Sequence, residues 1–303
     1  MKLAAIDIGS NAVRCQISSV LVYQDKNIFK RVEYIRYPIK FGDDVFTTGI
    51  ISPAKEEKFT KFLHALKLLM EVHEVSHYMI CATSAMRQAQ NATEIIKRVR
   101  KKLGMQINVI DGQTEAELIN KVIYNLLDDK NYLHIDVGGG STEFNVYVGT
   151  EKVASQSFEM GSIRFQQGDK YDETWVAMKT WVKENARKNH VSRAIGTGGN
   201  INKIYEMAGK MAGKPIFRKQ IEEIVNQLEG MSFEDKLSVL LLNPDRADVI
   251  VPAARIYLSA MKWGKIESMI VPTVGLKDGI LQSLYETHYH PSSLVSEIST
   301  LVD

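Results

Sequence analysis

The sequence has little cysteine and little net charge, and each shortage excludes a class of protein. Cys15 and Cys81 are the only cysteines, each alone in apolar surroundings, which argues against a disulfide framework and against a zinc site. The 38 Lys and Arg residues nearly balance the 36 Asp and Glu residues, so the net charge is +2. A chain with so little excess charge does not indicate a nucleic-acid-binding protein.

Long hydrophobic runs and structure-breaking residues are also scarce. No apolar run approaches the ~18 residues of a membrane-spanning helix, and Asp7 interrupts the first apolar stretch, where a secretory leader needs an unbroken one. Twenty glycines and seven prolines in 303 residues are too few for a collagenous or low-complexity chain. We therefore predict a globular, cytoplasmic protein without a membrane partner, with about two domains at roughly 150 residues each.

One pattern occurs twice in the chain. Residues 3–17 and 133–148 each contain an apolar strand that ends in Asp-x-Gly, a small polar turn, and a second strand with alternating apolar residues. This pattern predicts a β-hairpin in each case. Asp7 and Asp136 hold the same place in the two copies, which lie too far apart for a solenoid repeat. The repeat predicts two homologous halves, divided near residue 120.

Helical and strand-like periodicities alternate along the rest of the chain. Thr114 and Glu117 have the spacing of a capping box, and Ser52 precedes a proline at the first position of a predicted helix. Strands between the helices, together with the hairpins, indicate a mixed-sheet α/β fold rather than a purely parallel sheet. The predicted helices span residues 53–72, 91–103, 114–127, 173–186, 219–228, 232–241, 246–262 and 277–285, and the predicted strands span residues 78–82, 106–110, 194–195 and 268–272.

Each Asp-x-Gly hairpin offers groups that bind a phosphate and a cation. Glycines let backbone N–H groups approach an anion, and the carboxylate beside them can hold a divalent cation. A single such motif is usually only a turn, but two copies at matching positions, the second continuing as Gly-Gly-Ser-Thr-Glu, favour a phosphate and metal site. The glycine turn at residues 196–199, before a predicted helix, adds a third candidate site for an anion or nucleotide.

Two further residues have positions that suit phosphate chemistry. Glu115 lies in the first turn of a predicted helix, whose dipole keeps a carboxylate ionised, while substrate phosphates would raise its pKa toward that of a base. By itself this position is more typical of an acid that only stabilises a helix N-terminus. Arg87 follows a predicted strand, where it can grip two phosphate oxygens or form a surface ion pair.

These segments resemble the exopolyphosphatase/guanosine pentaphosphate phosphohydrolase family. Residues 7–11 (DIGSN), 136–143 (DVGGGSTE) and 196–200 (GTGGN) are similar to the two phosphate motifs and the adenosine-type motif of the superfamily that includes actin, heat-shock ATPases and sugar kinases. Within that superfamily, residues 82–91 (ATSAMRQAQN) and 246–248 (RAD) have forms typical of this family. The resemblance covers nearly the whole chain.

The resemblance implies an α/β fold in which two ribonuclease-H-like domains, as in actin-like ATPases, flank a central cleft. The N-terminal domain would span residues 1–120 and the C-terminal domain residues 121–303, and a C-terminal helix after about residue 282 would pack back on the first domain. The chain ends at Asp303, as in the short members without an additional C-terminal helical domain.

The resemblance also implies an enzyme that releases terminal orthophosphate from inorganic polyphosphate, from guanosine pentaphosphate, or from both, with Mg²⁺ or Mn²⁺ as cofactor. Because short members lack the domain that extends the polyphosphate path, we expect short chains to be preferred and long chains to be cleaved distributively. Lys210, Lys214, Arg218 and Lys219 form a basic cluster that suits a polyanion path, and the remaining contacts to a long chain would come from Lys214, Arg218 and Lys219.

Individual residues take their expected roles from the same resemblance. Glu115 corresponds to the catalytic base, although Thr114 stands where the family usually has a second acid. Arg87 would stabilise charge on the phosphoryl group, and Asp136 and Glu143 would hold the metal ion. The phosphate-binding residues would be Asp7, Gly9, Ser10, Asn11, Gly138, Gly139, Gly140, Ser141, Thr142, Gly196, Gly198 and Gly199.

Two other functions use the same loops. A small-molecule kinase of the sugar or acetate type would transfer phosphate from ATP to a hydroxyl or carboxylate acceptor. A non-catalytic sensor would bind guanosine tetraphosphate, or the chain would polymerise as actin does, without phosphate release. The intact Glu115 and the paired loops argue against the sensor. The choice between the two phosphatase substrates, and between a monomer and a homodimer, stays open at this point.

Overall fold

The computed structural model describes residues 1–23, 26–166 and 172–289 of the chain. Within these ranges, eleven strands form two mixed sheets with helices packed on them, which confirms the predicted mixed α/β fold. None of the helices in the same ranges is long and apolar enough to cross a membrane.

The first sheet is built around the first predicted hairpin. Its central strand, β1 (Lys2–Ile8), pairs antiparallel with β2 (Val13–Tyr23) and parallel with β4 (His77–Ala82). The edge strands are β3 (Lys26–Tyr37) beside β2 and β5 (Asn108–Val109) beside β4, giving the order β3-β2-β1-β4-β5.

The second sheet has the same arrangement at its centre. β6 (Asn131–Val137) pairs antiparallel with β7 (Thr142–Val148) and parallel with β9 (Arg193–Thr197), as β1 pairs with β2 and β4. This correspondence confirms the repeated hairpin. The order β10-β11-β9-β6-β7-β8 is completed by β8 (Glu151–Phe158), β10 (Ile216–Phe217) and β11 (Ser268–Ile270).

Helices of the first half cover one face of the first sheet. Ile6 and Ile8 on β1 share a hydrophobic core with Phe59 and Leu63, which lie one helical turn apart. All four side chains are buried, and each contributes roughly 1.5–3 kcal/mol. The helices of this half before the central connection are α1 (Phe41–Thr48), α2 (Pro53–Val72), α3 (Ser84–Gln88) and α4 (Ala92–Leu103).

A second group of helices packs on the second sheet. Leu133 and Ile135 of β6 are fully buried in a core that includes Val182, Ile221 and Tyr257 from three helices. The alternate residues of β6 therefore point to the opposite face of the sheet. The helices of this half are α6 (Asp172–Lys188), α7 (Gly199–Met207), α8 (Arg218–Glu229), α9 (Phe233–Ser238), α10 (Pro244–Ala247) and α11 (Ile250–Gly264).

Two helices lie between the sheets. α5 (Gly112–Ile123), which continues as a 3-10 turn (Tyr124–Leu126), packs against α12 (Leu276–Tyr289). α12 also packs on β1 and β4 of the first sheet. On the side of the second sheet, the Tyr147 hydroxyl of β7 donates to Asn120 Oδ1 at 2.6 Å. This contact holds the C-terminal half of α5 beside the polar face of β6 and β7.

The predicted domain division falls within α5. The first sheet is formed before it and the second sheet after it, but α12 returns to the first sheet. The helix expected after about residue 282 begins at Leu276, and residues 290–303 lie outside the described part of the chain. The boundary near residue 120 stays a prediction.

Two helix boundaries differ from the predicted ones. Asp111 rather than Thr114 caps α5, because its carboxylate accepts a hydrogen bond from the Thr114 amide at 2.8 Å. The predicted helix over residues 246–262 is divided into α10 and α11, and Val249, with φ −110° and ψ −4°, stands at the break.

Candidate active site

The two Asp-x-Gly hairpins end in turns of the same geometry. The Gly9 amide donates to the Ala12 carbonyl at 3.1 Å, and the Gly138 amide donates to the Ser141 carbonyl at 2.9 Å. In both turns, a Cβ added to the glycine would lie 3.3 Å from that carbonyl oxygen. The repeat therefore extends from the strands to the backbone of the turns.

The carbonyl groups of both turns are occupied by neighbouring loops. Backbone amides of these loops donate to the carbonyl oxygens of Ser10 and Gly139, at 2.8 and 2.9 Å. The donors are the amides of Gly42 and Ile163. Because the C=O and the following N–H of a trans peptide point in opposite directions, the amides of Asn11 and Gly140 point away from these donors. Neither amide donates to a backbone carbonyl in the described ranges. Free amides at the tip of a turn form an anion-binding concavity.

The turns pack against each other and against α3 where glycine leaves space. A Cβ added to Gly139 would lie 2.9 Å from Ser10 Cβ of the other turn. A Cβ added to Gly140 would lie 2.3 Å from Ser84 Oγ and 2.4 Å from Phe46 Cζ. The glycines of the second turn therefore permit the close approach of the two halves in addition to exposing amides.

A cleft of about 310 Å³ lies between the turns. It is lined by both hairpins, by the start of α5 and by the glycine turn before α7. The structure thus brings together most of the residues that the sequence assigned to one site. The predicted residues that line the cleft are Asp7, Gly9, Ser10, Asn11, Glu115, Asp136, Gly138, Gly139, Gly140, Ser141, Gly198 and Gly199.

Four predicted site residues lie outside the lining of the cleft. The Thr142 hydroxyl donates to a backbone carbonyl at 2.5 Å, and Gly196 lies inside β9, where a Cβ would be 2.5 Å from Met269 Sδ. Packing and hydrogen bonding within the fold account for these two. Glu143 and Arg87 do not line the cleft, but their charges act on Glu115, which does.

Asp136 and Glu143 form a buried carboxylate pair on neighbouring strands. They are cross-strand partners of β6 and β7 and lie on the same face. Burial raises the pKa of Asp136 to about 6, although a hydrogen bond from the Thr197 hydroxyl opposes the rise. Burial and the charge of Asp136 raise the pKa of Glu143 to about 7, while hydrogen bonds from Ser141 and Ser157 oppose that rise.

Glu115 is the third carboxylate of this cluster. It stands in the first turn of α5, with 14% of its side chain exposed. Burial, followed by the charges of Glu143, Asp136 and Asp7, raises its pKa well above the ordinary value. Burial thus outweighs the helix dipole that was expected to keep this group ionised. Its Oε2 atom is buried and has no hydrogen-bond partner in the described part of the chain.

Two arginines offset the charge of the carboxylates. Arg14 Nη1 donates to Asp7 Oδ2 at 2.8 Å. Arg87 Nη1 lies 3.9 Å from Glu115 Oε2 and donates to the Ile110 carbonyl at 2.6 Å. Arg87 therefore holds a fixed position beside Glu115, and its charge opposes the rise in the pKa of that group.

Four arginines that line the cleft, Arg14, Arg31, Arg36 and Arg246, were not assigned to the site from the sequence. Arg14 and Arg36 are cross-strand partners, and Arg36 pairs with the buried Asp245, which also accepts from the Asn11 side chain at 3.2 Å. Arg246 forms no ion pair within the described residues, and burial and the charge of Arg36 lower its pKa. A guanidinium with cationic neighbours and no carboxylate partner favours a bound anion.

The carboxylates suit a divalent cation. Asp7, Asp136 and Glu115 bring buried negative charge to one cleft, and one oxygen of Glu115 lacks a partner. Carboxylate oxygens are the ligands that Mg²⁺ prefers. In residues 1–23, 26–166 and 172–289, no group of three or more His, Cys, Asp or Glu side chains could enclose a metal ion. Mg²⁺ usually takes one or two carboxylates and completes its shell with water and substrate phosphates.

The raised pKa values predict a pH-dependent stability. Glu143 keeps its proton in the folded chain up to about pH 7 but loses it near pH 4.5 when unfolded, so its stabilising contribution is lost as pH rises through about 7. Glu143→Gln should therefore have a thermal midpoint near that of the wild type at pH 5 and a higher one at pH 8, by roughly 2–4 °C per kcal/mol. The measurement is thermal unfolding in EDTA.

The exposed Glu117 of the same region provides the control for this prediction. Glu117→Gln should leave the midpoint nearly unchanged at both pH values, because its side chain is exposed and makes few contacts in the fold. An identical difference between Glu143→Gln and wild type at pH 5 and pH 8 would contradict the predicted burial of charge.

A second groove of about 470 Å³ continues from the cleft. It shares Arg14 and Arg246 with the cleft and adds Lys203 and Lys210 from the region of α7. Its cationic lining suits a polyanion that extends beyond the terminal phosphates.

Comparisons with known proteins agree with this geometry. The model of the Ppx/GppA phosphatase family matches residues 20–288. A bifunctional 3-dehydroquinate synthase/phosphatase of Fusobacterium nucleatum is 29% identical over 279 residues, which are 82% of this chain and 41% of that protein. A guanosine-5'-triphosphate,3'-diphosphate pyrophosphatase of Aeromonas salmonicida is 22% identical over 93% of this chain and 59% of its own length. The chain thus spans less than two thirds of both curated relatives.

A solved structure supports the fold. The crystal structure of an exopolyphosphatase from Cytophaga hutchinsonii has a TM-score of 0.82 and 23% sequence identity to this chain. The match covers 95% of this chain and 98% of that structure. The predicted arrangement of two actin-like domains around a cleft is confirmed by this similarity in fold.

Proposed function

The chain belongs to the Ppx/GppA phosphatase family, and from this premise we propose that it hydrolyses a terminal phosphoanhydride bond and releases orthophosphate. The observation that carries the proposal is the position of Glu115, which lines a cleft between two amide-bearing turns and whose buried Oε2 atom has no hydrogen-bond partner among the described residues. The names of similar proteins, an exopolyphosphatase and a guanosine-5'-triphosphate,3'-diphosphate pyrophosphatase, support inorganic polyphosphate or guanosine pentaphosphate as the substrate.

Glu115 is the group suited to activate water. Its pKa is raised toward neutral pH, and a general base is most effective when its pKa lies near the operating pH. The Glu115 carboxylate, which lines the cleft, takes a proton from a water molecule that attacks the terminal phosphorus in line with the leaving oxygen. Arg87 lies 3.9 Å from the carboxylate, and its charge opposes excessive protonation.

Amides and a guanidinium receive the charge on the phosphoryl oxygens. The free amides of Asn11 and Gly140 are fixed by their turns before substrate arrives, so they stabilise charge without reorganising, and the Arg246 side chain lines the same cleft. Asp136, which lines the cleft, would hold Mg²⁺ or Mn²⁺ together with Glu143 beside it on the neighbouring strand, and the ion would neutralise phosphate charge.

Side-by-side assays test this function. Orthophosphate release is measured with polyphosphates of several lengths, with guanosine pentaphosphate and with ATP, in Mg²⁺ or Mn²⁺. We expect release from at least one of the first two substrates and little from ATP. Phosphorylation of a sugar or of acetate by ATP would identify a kinase, and binding of guanosine tetraphosphate without any phosphate release would identify a sensor.

The second groove predicts how chain length affects binding. Lys203 is already paired with Glu206 at 2.8 Å, whereas Lys210 lies beside the Phe217 ring, 5.8 Å from its centroid. Lys210→Glu should raise the KM for long polyphosphate roughly threefold to tenfold. The KM for tripolyphosphate should be nearly unchanged, because a short chain ends within the cleft. We also expect short chains to be cleaved at least as efficiently as long ones per chain end.

A second charge reversal provides the matched control. Of the basic cluster predicted from the sequence, Lys210 lines the second groove, whereas Lys214, Arg218 and Lys219 line neither cavity. Arg218 pairs with Glu267 at 2.6 Å. Lys219→Glu should leave the KM for long chains unchanged. If Lys219→Glu raised this KM and Lys210→Glu did not, long chains would follow Lys214, Arg218 and Lys219 instead of the second groove. Complete degradation of single long chains without intermediate lengths on a gel would contradict distributive release.

A further inference from the structure

A line of buried polar side chains crosses the second sheet beside the carboxylate pair. His134 lies two residues before Asp136 on the same face of β6, and its exposure is 1%. Its Nε2 atom lies 2.8 Å from Thr197 Oγ1, and its Nδ1 atom lies 3.0 Å from Asn145 Nδ2. Thr197 in turn is the cross-strand neighbour of Asp136 and hydrogen-bonds its carboxylate.

Each hydrogen bond of this line is donated in the direction of Asp136. Asn145 Oδ1 accepts from the Ser155 hydroxyl at 2.7 Å, which leaves the Asn145 Nδ2 group to donate to His134 Nδ1. Nδ1 is thus an acceptor, and the one proton of the neutral imidazole is on Nε2. Nε2–H donates to Thr197 Oγ1, so the hydroxyl proton of Thr197 is directed at Asp136.

We propose that His134 and Thr197 are positioning residues that fix the orientation of the Asp136 carboxylate. This inference rests on the proposed function, in which Asp136 holds the divalent cation. A carboxylate oxygen that accepts a directed hydrogen bond keeps its remaining lone pairs in a fixed direction, and partners of this kind set the affinity of a ligand for its metal. Asn145, His134 and Thr197 can act on Asp136 in this way without contacting the substrate.

We call the line of Asn145, His134 and Thr197 the relay. Hydrogen bonds also fix the backbone beside it. The Tyr257 hydroxyl accepts from the Val137 amide at 3.2 Å and donates to the Thr197 carbonyl, so one side chain joins the ends of β6 and β9. Gly198, with φ +118°, follows immediately, and a Cβ there would lie 2.9 Å from the Tyr257 hydroxyl. The ends of both strands are therefore fixed, and the remaining freedom of Asp136 is the rotation of its carboxylate.

Mn²⁺ binding to a pair of Thr197 variants tests the relay. Thr197→Val keeps the shape and the strand preference but removes the hydroxyl, whereas Thr197→Ser keeps the hydroxyl. The dissociation constant is measured by electron paramagnetic resonance with the metal alone. We expect Thr197→Val to weaken binding by roughly tenfold or more and Thr197→Ser to stay within about threefold of the wild type. Equal affinities of the two variants, both folded by circular dichroism, would overturn the proposal.

The tautomer of His134 is a test that needs no destabilising variant. Nitrogen-15 NMR of the wild-type protein should show a neutral imidazole protonated at Nε2, assigned through the loss of its signals in His134→Gln. A proton on Nδ1 would reverse the direction of the relay and overturn the proposal. His134→Gln retains a donor toward Thr197 and should bind Mn²⁺ nearly normally, whereas His134→Leu should match Thr197→Val. The double variant Thr197→Val/His134→Leu should bind no more weakly than either single variant.

Asp136→Asn separates this inference from the proposed function. If Asp136→Asn weakens Mn²⁺ binding and Thr197→Val does not, the metal role stands and the relay is wrong. If Asp136→Asn leaves Mn²⁺ binding unchanged, the metal role itself fails, and with it the consequence proposed for the relay.

Discussion

Glu115→Gln is expected to lower the turnover number by roughly 10² to 10⁴, the usual worth of a positioned acid–base group. The amide fills the same space on α5 but cannot take a proton from water. The KM should change little, because the turn amides and Arg246 are untouched by this substitution. Steady-state phosphate release with the preferred substrate measures both quantities.

The same substitution should stabilise the fold. Burial and three neighbouring carboxylates raise the pKa of Glu115, so the ionised form is unfavourable at neutral pH. Replacing it with a neutral amide should raise the thermal midpoint at pH 8, while the Asp111 cap of α5 is retained. Activity and stability are thus expected to change in opposite directions.

Glu117→Gln is the matched control for this experiment. Glu117 lies half a turn further along α5 and its side chain is exposed, so both quantities should stay at wild-type values. Near-normal turnover of Glu115→Gln would move the base to another carboxylate, with Glu143 the next candidate because its pKa is raised to about 7.

The repeated hairpins show which features local sequence determines. Alternation of apolar residues and a glycine turn within 16 residues are sufficient to predict both hairpins, and the turn hydrogen bonds of Gly9 and Gly138 match. Most predicted phosphate-binding residues line one cleft because they lie on these turns. Gly196 differs, since a glycine accommodating Met269 in β9 has the same sequence pattern as one that approaches a ligand.

The positions of Arg14 and Arg36 in the cleft depend on strand pairing, which cannot be read directly from the sequence. Arg14 faces Asp7 on one neighbour and Arg36 on the other through the register of three strands. The alternation of residues 13–17 places Arg14 on the same face of the hairpin as Asp7, so the sequence alone could have indicated Arg14 as a site residue. Arg246 reaches the cleft only through tertiary packing of α10.

The edge strand β3 and helix α1 had no predicted counterpart. β3 is mostly exposed and carries charged residues among its apolar ones, so its period-2 signal is weak. Pairing with β2 along its length supplies the stabilisation that its own sequence does not predict. Helix α1 is eight residues long, and its buried residues Phe41 and Phe46 belong to the core of the first half.

Removal of divalent cations is expected to abolish phosphate release, and Asp136→Asn should raise the metal concentration needed for half-maximal activity by at least about tenfold. A neutral amide is a weaker ligand for a divalent cation than a carboxylate. The measurement is phosphate release as a function of Mg²⁺ and Mn²⁺ concentration after treatment with EDTA.

The control for Asp136→Asn is an equal change of charge far from the cleft. Asp129, with 93% of its side chain exposed, serves this purpose, and Asp129→Asn should leave the metal dependence unchanged. The loss in Asp136→Asn should be recovered in part at saturating metal, because the amides of Asn11 and Gly140 still bind the phosphoryl group. Undiminished phosphate release in excess EDTA would show instead that Arg14, Arg246 and the turn amides neutralise the phosphates without a metal ion.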